Sequence, residues 1–200
     1  HVNYKLRYRT KQARFWASSY EDKRPELTNA QRKMLSHYDN ATLYNDSIVA
    51  QIVKRFQKQD AIVIYVPDHG EECYEENRGF ICRNHSAEID WPLAHYEFEI
   101  PFWIYCSPKY IRNHRDIYRQ IRKAKDKRFM TDALPHLLLY LAGIETPTYK
   151  EEYNILSPKY DEMRPRILKN SADYDKLRDA HLEKIKKEES KKVKKKERRN

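Results

Sequence analysis

The order of the predicted elements along this chain predicts an α/β layered fold. Apolar residues recur at helical spacing over residues 30–58 and again over 131–144. Two short runs rich in β-branched and aromatic residues occupy 61–66 and 97–107 and are predicted to be strands. The resulting order of helix, strand, loop, strand and helix is typical of α/β proteins and argues against a helical bundle or a β-sandwich.

The two predicted helices are marked in different ways. The first has Ile48, Ile52, Val53 and Phe56 on one face, and this face is expected to pack on a sheet. The second carries a Leu-rich run, with Thr131 placed for the N-cap and Gly143 placed for the C-terminal stop. A chain of 200 residues with 40% hydrophobic content can bury the core of one globular domain around such elements.

The first predicted strand leads directly into a polar sequence. The stretch AIVIYVPDHGEE, residues 61–72, is continuously apolar up to Pro67, as in a central strand that is covered on both faces. Ligands of α/β folds bind beyond the carboxyl ends of such strands, which is where Asp68 and His69 stand. Gly70 permits a sharp bend of the backbone, so both side chains can turn toward one point.

Asp68 and His69 offer the chemistry of a metal site, because a carboxylate oxygen and a neutral imidazole nitrogen are ordinary ligands of Zn²⁺. The motif also allows a structural interpretation, in which Asp68 caps the loop and His69 is hydrogen-bonded beside it. His85, on the same loop, and His1 lie in polar contexts and are candidates to converge on the strand end. We interpret the remaining five histidines as helix, strand-flank or tail residues: His37, His95, His114, His136 and His181.

The basic charge of the chain is concentrated at its C-terminal end. The formal net charge is +10. Residues 164–200 contain 15 Lys and Arg against 7 Asp and Glu, whereas residues 1–163 contain 25 against 23. The composition therefore predicts a Lys/Glu-rich tail that is disordered or loosely helical.

The cysteines exclude two classes of small protein. Three cysteines are too few for a disulfide framework, and no C-x-x-C pair indicates a zinc knuckle. Cys106 lies in an apolar strand and is predicted to be a buried thiol. Cys73 and Cys82 flank a polar loop, and both a disulfide between them and two unpaired thiols stay open. No run approaches the ~18 apolar residues of a membrane span.

Three stretches together resemble a known family. They are YDNATLYNDSIV with DAIVIYVPDHGEE, NHSAEI with YEFEIPFWIYCSPKYI, and TDALPHLLLYLAGIETPTYKEEYNILS. They resemble the C-terminal part of the catalytic domain of the sulfatase-like phosphoethanolamine transferases, in the alkaline phosphatase superfamily. The resemblance covers residues 1–175 and implies an alkaline phosphatase/sulfatase-like three-layer sandwich, of which this chain is a C-terminal fragment. Residues 176–200 are a basic Lys/Glu-rich tail outside it.

The resemblance implies a reaction and a set of site residues. Members of the family use a Thr nucleophile, activated by Zn²⁺, to take phosphoethanolamine from phosphatidylethanolamine as a covalent phospho-enzyme. They pass it to lipid A, a core sugar or another surface glycan. Asp68 and His69 match the zinc ligand pair, and His1 and His85 match histidines that contact the phosphoryl group or a second metal. Glu71 either orients a ligand or lies in solvent.

The resemblance also implies a cellular setting. The family is anchored in the bacterial inner membrane by N-terminal helices, with its catalytic domain in the periplasm and no nucleic acid among its partners. The Thr nucleophile, the acidic zinc ligand and the membrane helices are expected before His1. We therefore expect these 200 residues alone to bind zinc weakly and to catalyse no turnover.

Two other functions stay open on the sequence. A sulfatase, phosphodiesterase or phosphoglycerol transferase of the same superfamily would share the D-H-G motif, and the identity of the nucleophile would distinguish it. A basic binding module for nucleic acid or an anionic membrane is supported by the run KKEESKKVKKKERR in the tail. Deleting the residues after Asp179 would test the binding function.

Overall fold

The computed structural model describes residues 3–81 and 88–197. His1, His85 and Cys82 lie outside the described residues. The predictions made for these three side chains therefore stay predictions.

The chain divides into two compact units, and each unit combines two segments of the sequence. Unit 1 comprises His1–Ala87 and Glu99–Asn113. Unit 2 comprises Glu88–Phe98 and His114–Asn200. Helices and short β ladders occur in both units, as the predicted α/β class requires.

The long helix of unit 1, α1, spans Asn29–Phe56 and confirms the predicted helix over 30–58. Its start is fixed by a capping box. The Thr28 hydroxyl accepts a hydrogen bond from the Gln31 backbone N–H at 3.3 Å, and the Gln31 side-chain oxygen accepts one from the Thr28 N–H at 2.8 Å. Three short 3₁₀ turns precede α1: Tyr4–Leu6, Thr10–Gln12 and Ala17–Tyr20.

The strands of unit 1 form two antiparallel ladders. Strand β1, Ile62–Tyr65, pairs with β4, Trp103–Cys106, and the Tyr65 and Trp103 rings stack at its end with centroids 5.2 Å apart. Two short strands, β2 (Glu72–Cys73) and β3 (Phe80–Ile81), form a small hairpin. A short helix, α3, spans Pro108–Asn113.

The strands differ from the sequence prediction in length and burial. The predicted strand over 97–107 is reduced to β4, because Ala94–Phe98 forms a π-helix and Pro101 cannot donate a ladder hydrogen bond. The residues of β1 are half-buried rather than covered on both faces. Within the described residues β1 pairs with a single neighbour, β4, which accounts for this exposure.

The predicted packing face of α1 is only partly covered in the described residues. Val53 is half-buried and α1 contacts β1, but Ile48, Ile52 and Phe56 are 38–43% exposed. The core of unit 1 is instead built on the first half of the helix, where Leu35 packs with Tyr20 and with residues from outside the helix. The periodicity of the sequence identifies the apolar stripe correctly, but it does not show which half of the helix is packed against the core of unit 1.

The YDN motif ties the N-terminal segment to α1. Asn40 is only 2% exposed, and its side-chain oxygen accepts hydrogen bonds from the backbone N–H groups of Arg14 and Phe15 at 2.7 and 3.1 Å. Its amide donates to the Phe15 carbonyl at 2.8 Å. Asp39 accepts a hydrogen bond from the Tyr20 hydroxyl. The motif therefore has an architectural role in this unit.

Unit 2 is mainly helical. A two-strand ladder, β5 with β6, lies between its last two helices. Its helices are α2 (Trp91–Leu93), α4 (Arg115–Ala124), α5 (Leu134–Ala142) and α6 (Tyr174–Glu197). Its strands are β5 (Ile167–Leu168) and β6 (Ala172–Asp173).

One predicted boundary of α5 is confirmed and the other is wrong. Gly143 follows the helix with φ of +66°, the left-handed conformation that glycine adopts most easily, and forms its C-terminal cap. Thr131 opens a 3₁₀ turn, Thr131–Ala133, and the N-cap position of α5 is Ala133, which makes no side-chain capping hydrogen bond. The start of α5 relies on Pro135 in its first turn, where the missing N–H costs no hydrogen bond.

The basic tail continues a regular helix. Helix α6 begins at Tyr174 and reaches Glu197, so it includes most of the predicted tail over 176–200. None of the helices in the described ranges combines the length and the apolar composition that a membrane span requires.

Candidate metal centre

The polar sequence after β1 is held at a defined position by the strand. Tyr65 is the last residue of β1 that pairs with β4, opposite Trp103. Pro67 follows it and prevents further ladder pairing through its own nitrogen. Asp68 and His69 therefore lie just beyond the carboxyl end of a strand, as the sequence predicts.

The two side chains approach one another and differ in exposure. The Nε2 atom of His69 lies 3.8 Å from Oδ2 of Asp68. The Asp68 side chain is 85% exposed, whereas the His69 side chain is 24% exposed. A tetrahedral Zn²⁺ with bonds of about 2.0–2.2 Å separates its donor atoms by roughly 3.3–3.6 Å, so the pair is close to the spacing of two ligands on one ion.

The backbone fixes the tautomer of His69. Its Nδ1 atom lies 2.7 Å from the carbonyl oxygen of Gly70. A carbonyl oxygen only accepts, so Nδ1 carries the hydrogen and, in the neutral ring, Nε2 keeps its lone pair. That lone pair is on the nitrogen nearest Asp68, and a histidine that binds a metal through one nitrogen commonly donates from the other in this way.

Gly70 contributes its carbonyl rather than an unusual backbone conformation. Among the described glycines, positive φ is found at Gly143. The chain bends at Asp68 without a left-handed conformation at Gly70, and the adjacent carbonyl acceptor is the feature that orients His69.

Asp68 and His69 fit one part of a zinc site. Structural and catalytic zinc sites use three or four protein ligands. Over residues 3–81 and 88–197, no group of three or more His, Cys, Asp or Glu side chains is arranged to hold a metal ion. The two side chains would hold the ion together with ligands from elsewhere.

Four of the five histidines interpreted as structural make contacts that fit this role. His37 Nδ1 lies 2.8 Å from the Tyr8 hydroxyl, and burial, with Lys33 and Lys5 nearby, lowers the pKa of His37. His136 Nδ1 accepts a hydrogen bond from a backbone N–H at 3.1 Å. His95 and His181 stack on a tryptophan ring in unit 2.

The two glutamates after Gly70 are tied into the protein, which the sequence analysis missed. Glu71 accepts a hydrogen bond from the hydroxyl of Tyr4, a buried residue. Glu72 has no exposed surface and forms an ion pair with Arg78. Glu71 is therefore not a solvated loop residue, and Glu72 anchors the loop from inside.

The signal that would have identified Glu72 is the hairpin that follows it. Tyr74, Glu76 and Asn77 adopt positive φ of 66°, 51° and 60°, which turns the chain back so that β3 pairs with β2. This return brings Arg78 beside Glu72. No glycine or proline stands at these three turn positions, so the sequence alone predicts an open polar loop here.

Comparison with known proteins identifies the family. The sulfatase family matches residues 1–144. The phosphoethanolamine transferase EptC of Escherichia coli is 31% identical over 165 residues, which cover 81% of this chain and 27% of that protein. The Kdo(2)-lipid A phosphoethanolamine 7''-transferase of the same species is 30% identical over 131 residues, covering 64% of this chain and 22% of that protein.

Solved structures agree with the sequence relatives. The crystal structure of the C-terminal periplasmic domain of Escherichia coli EptC, in complex with Zn, matches with a TM-score of 0.69 and 28% identity. The match covers 88% of this chain and 49% of that one. The predicted sulfatase-like α/β fold is confirmed by this similarity.

The matches cover most of this chain but only part of each relative. This chain spans about a quarter of the length of the curated relatives it matches, and the family match covers more than half of this chain. The chain belongs to the sulfatase family and is homologous to phosphoethanolamine transferases within it.

Proposed function

We propose that this chain forms part of the catalytic domain of a zinc-dependent phosphoethanolamine transferase. The observation that carries the proposal is the pair of donor atoms at the end of β1, where Nε2 of His69 lies 3.8 Å from a carboxylate oxygen of Asp68. The similarity to named phosphoethanolamine transferases, one of them solved with Zn, supports the choice of reaction and of metal.

Each residue of the loop has a separate task in this proposal. Asp68 provides a negative oxygen ligand, and His69 provides a neutral nitrogen whose orientation is set by the Gly70 carbonyl. Glu71 and Glu72 bind the following backbone to Tyr4 and Arg78 rather than to the ion. When bound, Zn²⁺ supplies a lowered pKa for a hydroxyl nucleophile.

The proposed reaction transfers phosphoethanolamine in two steps. A Thr hydroxyl attacks the phosphorus of phosphatidylethanolamine and displaces diacylglycerol, which leaves a covalent phospho-Thr that carries the ethanolamine. A hydroxyl of lipid A, a core sugar or another surface glycan then attacks the same phosphorus and releases the Thr hydroxyl. We propose that the nucleophile and the remaining zinc ligands come from parts of the enzyme outside these 200 residues. His1 and His85 are proposed to meet the charge of the phosphoryl oxygens or to bind a second metal.

The proposed setting is the periplasmic side of the bacterial inner membrane. The matched domain of Escherichia coli EptC is periplasmic, which supports this location. A sulfatase, phosphodiesterase or phosphoglycerol transferase remains the alternative reaction on the same fold. A Thr nucleophile supports the transferase, and a Cys or Ser nucleophile supports a sulfatase.

The test is a transfer assay on the complete enzyme. Phosphatidylethanolamine and lipid A are incubated with the parent, with Asp68→Asn and with His69→Ala, and the mass of lipid A is measured. We expect each variant to lose at least about 100-fold in rate, since each removes a metal ligand. His136→Ala is the matched control and keeps its rate per folded molecule. Equal loss in all three variants would refute the assignment of the metal ligands.

A further inference from the structure

Helix α6 consists of an anchored first part and an exposed second part. In the first part the Tyr174 and His181 rings contact the Trp91 ring, with centroids 5.7 and 5.3 Å apart. From Leu182 to Val193 every residue is exposed. We call residues 174–181 the root of α6 and residues 182–193 its arm.

The root is held by an ion-pair cluster as well as by rings. Asp175 accepts hydrogen bonds from Arg166 at 2.6 and 3.2 Å and from Arg128, and its carboxylate lies 3.2 Å from a guanidinium nitrogen of Arg178. The Arg166 guanidinium also lies 4.3 Å from the centroid of the Tyr174 ring. These contacts fix the direction in which the arm leaves unit 2.

The arm combines positive charge with uncovered apolar side chains. Leu182, Ile185 and Val193 are 45%, 39% and 56% exposed. At 100° per residue these three lie within roughly 80° of one another around the helix. The arm contains 5 Lys against 3 Glu, and residues 194–199, which follow it in the sequence, add 5 Lys and Arg against 1 Glu. The exposed lysines of the arm are Lys184, Lys186, Lys187, Lys191 and Lys192.

The arm is also weakly supported as a helix on its own. Glu183 and Lys187 form an i,i+4 ion pair at 3.7 Å, a spacing that contributes little in water. Lys187 and Lys191 are separated by the same four residues and repel one another. An anionic surface would remove this repulsion and give the apolar stripe a place to be buried.

We propose that the arm of α6 docks on the anionic phospholipid surface of a membrane. Lysines provide attraction to headgroup phosphates, and Leu182, Ile185 and Val193 provide contact with the boundary of the acyl chains. A nucleic acid would satisfy the lysines but would leave the apolar stripe without a partner. The preference for a membrane over nucleic acid also rests on the proposed function, which places the domain beside a bilayer.

The test measures binding of the 200-residue chain to vesicles by co-sedimentation. Vesicles of phosphatidylethanolamine and phosphatidylcholine are compared with vesicles in which a third of the lipid is phosphatidylglycerol. We expect binding to the anionic vesicles at 50 mM NaCl, and a strong decrease at 300 mM NaCl because salt screens the attraction. Equal binding to both vesicle types would overturn the proposal.

Two variants with the same change of net charge localise the effect. Lys186, Lys191 and Lys192 are changed to Glu in one, and Arg115, Arg122 and Lys123 of α4 in the other. A lysine near an anionic surface contributes about fivefold in affinity, so the arm variant is expected to lose at least about 100-fold. The α4 variant keeps most of its binding. Similar losses in both would show that net charge, not the arm, drives binding.

Three further measurements distinguish the competing explanations. Replacing Leu182, Ile185 and Val193 by Ala is expected to weaken vesicle binding without loss of helix content by circular dichroism, because Ala is the strongest helix former. Tighter binding to a single-stranded oligonucleotide than to anionic vesicles, through the same lysines, would make the arm a nucleic-acid contact and overturn the proposal. Asp68→Asn is expected to bind vesicles like the parent, so this proposal and the proposed function can fail separately.

Discussion

Four ionisable residues within five positions have opposite environments in this protein. Asp68 and His69 pair loosely with one another at 3.8 Å, and Asp68 projects into solvent. Glu71 and Glu72 are bound by a tyrosine hydroxyl and an arginine, and Glu72 is fully buried. The first pair keeps lone pairs available for a ligand, and the second pair uses its oxygens to hold the loop.

This difference suits a loop that has to present the proposed metal ligands in a defined position. An atom that binds an ion must be uncommitted, so the loop has to be held through other atoms. Here Glu71 and Glu72 anchor the loop, and the Gly70 carbonyl orients His69. A site held in this way costs little reorganisation when a ligand binds.

The largest effect is expected when a ligand of the proposed ion is removed. In the complete enzyme, Asp68→Asn should lower zinc affinity by at least about 100-fold, more than the loss typical of an outer partner. The free energy of unfolding of the metal-free protein should change by less than about 0.5 kcal/mol, because the side chain is exposed. Zinc affinity is measured by competition with a chelator.

The matched control for this variant is Asp22→Asn, a change of another exposed carboxylate in unit 1. It should alter neither zinc affinity nor stability. If Asp68→Asn destabilises the metal-free protein as much as it weakens zinc binding, then Asp68 belongs with the anchoring residues and the comparison fails.

The next effect concerns the buried glutamate. Arg78→Met removes an ion-pair partner from a fully buried carboxylate and should cost about 3 kcal/mol in the free energy of unfolding. This is the lower end of the usual range because the Arg78 side chain is 31% exposed. Urea denaturation followed by circular dichroism measures it.

A double variant sharpens this result. Glu72→Leu combined with Arg78→Met removes both charges and should recover most of the lost stability. Recovery would show that the cost comes from the buried charge. If the double variant is less stable than Arg78→Met alone, the carboxylate has a stabilising role beyond the ion pair.

Features with a local cause could be predicted from the sequence. The capping box fixes the start of α1, and the left-handed conformation of Gly143 fixes the end of α5, since both depend on neighbouring residues. The Asp68–His69 pair was predicted for a similar reason, because both residues follow a strand and differ from their surroundings in chemistry.

Features that depend on distant residues could not be predicted in this way. Glu72 is buried because a hairpin whose three positive-φ residues are neither glycine nor proline returns Arg78 to it. The apolar stripe at Ile48 and Ile52 of α1 is exposed because the core forms on the other half of the helix. In both cases the sequence shows the residue type, and the tertiary contact decides its environment.

A smaller effect is expected at the first anchoring glutamate. Tyr4→Phe removes the hydroxyl that donates to Glu71 but keeps the ring, which packs edge-on against the Tyr38 ring with centroids 5.4 Å apart. The loss of a hydrogen bond to a charged acceptor should cost about 1.5–3 kcal/mol. The matched control is Tyr8→Phe, which removes a hydrogen bond to His37 and should cost about 1 kcal/mol.

The same variant tests whether anchoring supports the metal site. If Glu71 positions the loop, Tyr4→Phe should also weaken zinc binding in the complete enzyme, by less than about tenfold. A loss as large as that of Asp68→Asn would mean that Glu71 itself acts as a ligand. Glu71 would then belong with the binding residues, Asp68 and His69, and not with the anchoring residue Glu72.

The smallest effect extends the comparison to unit 2, where Asp175 is an anchoring carboxylate. The hydrogen bond from Arg166, and then the charges of Arg166, Arg128 and Arg178, lower the pKa of Asp175 below its ordinary value of 3.8. Because the folded state has the lower pKa, this carboxylate stabilises the protein above pH 3.8. The stabilisation is lost as the pH falls through the folded pKa.

Asp175→Asn should therefore lower the free energy of unfolding by about 1 kcal/mol at pH 7 and make it less dependent on pH between 4 and 2. Asp126→Asn, at a carboxylate that is 83% exposed, is the control and should leave the pH dependence unchanged. Urea titrations at several pH values measure both. An unchanged acid limb in Asp175→Asn would show that the root of α6 is held by its rings, since the stacking of Tyr174 and His181 on Trp91 does not require this carboxylate.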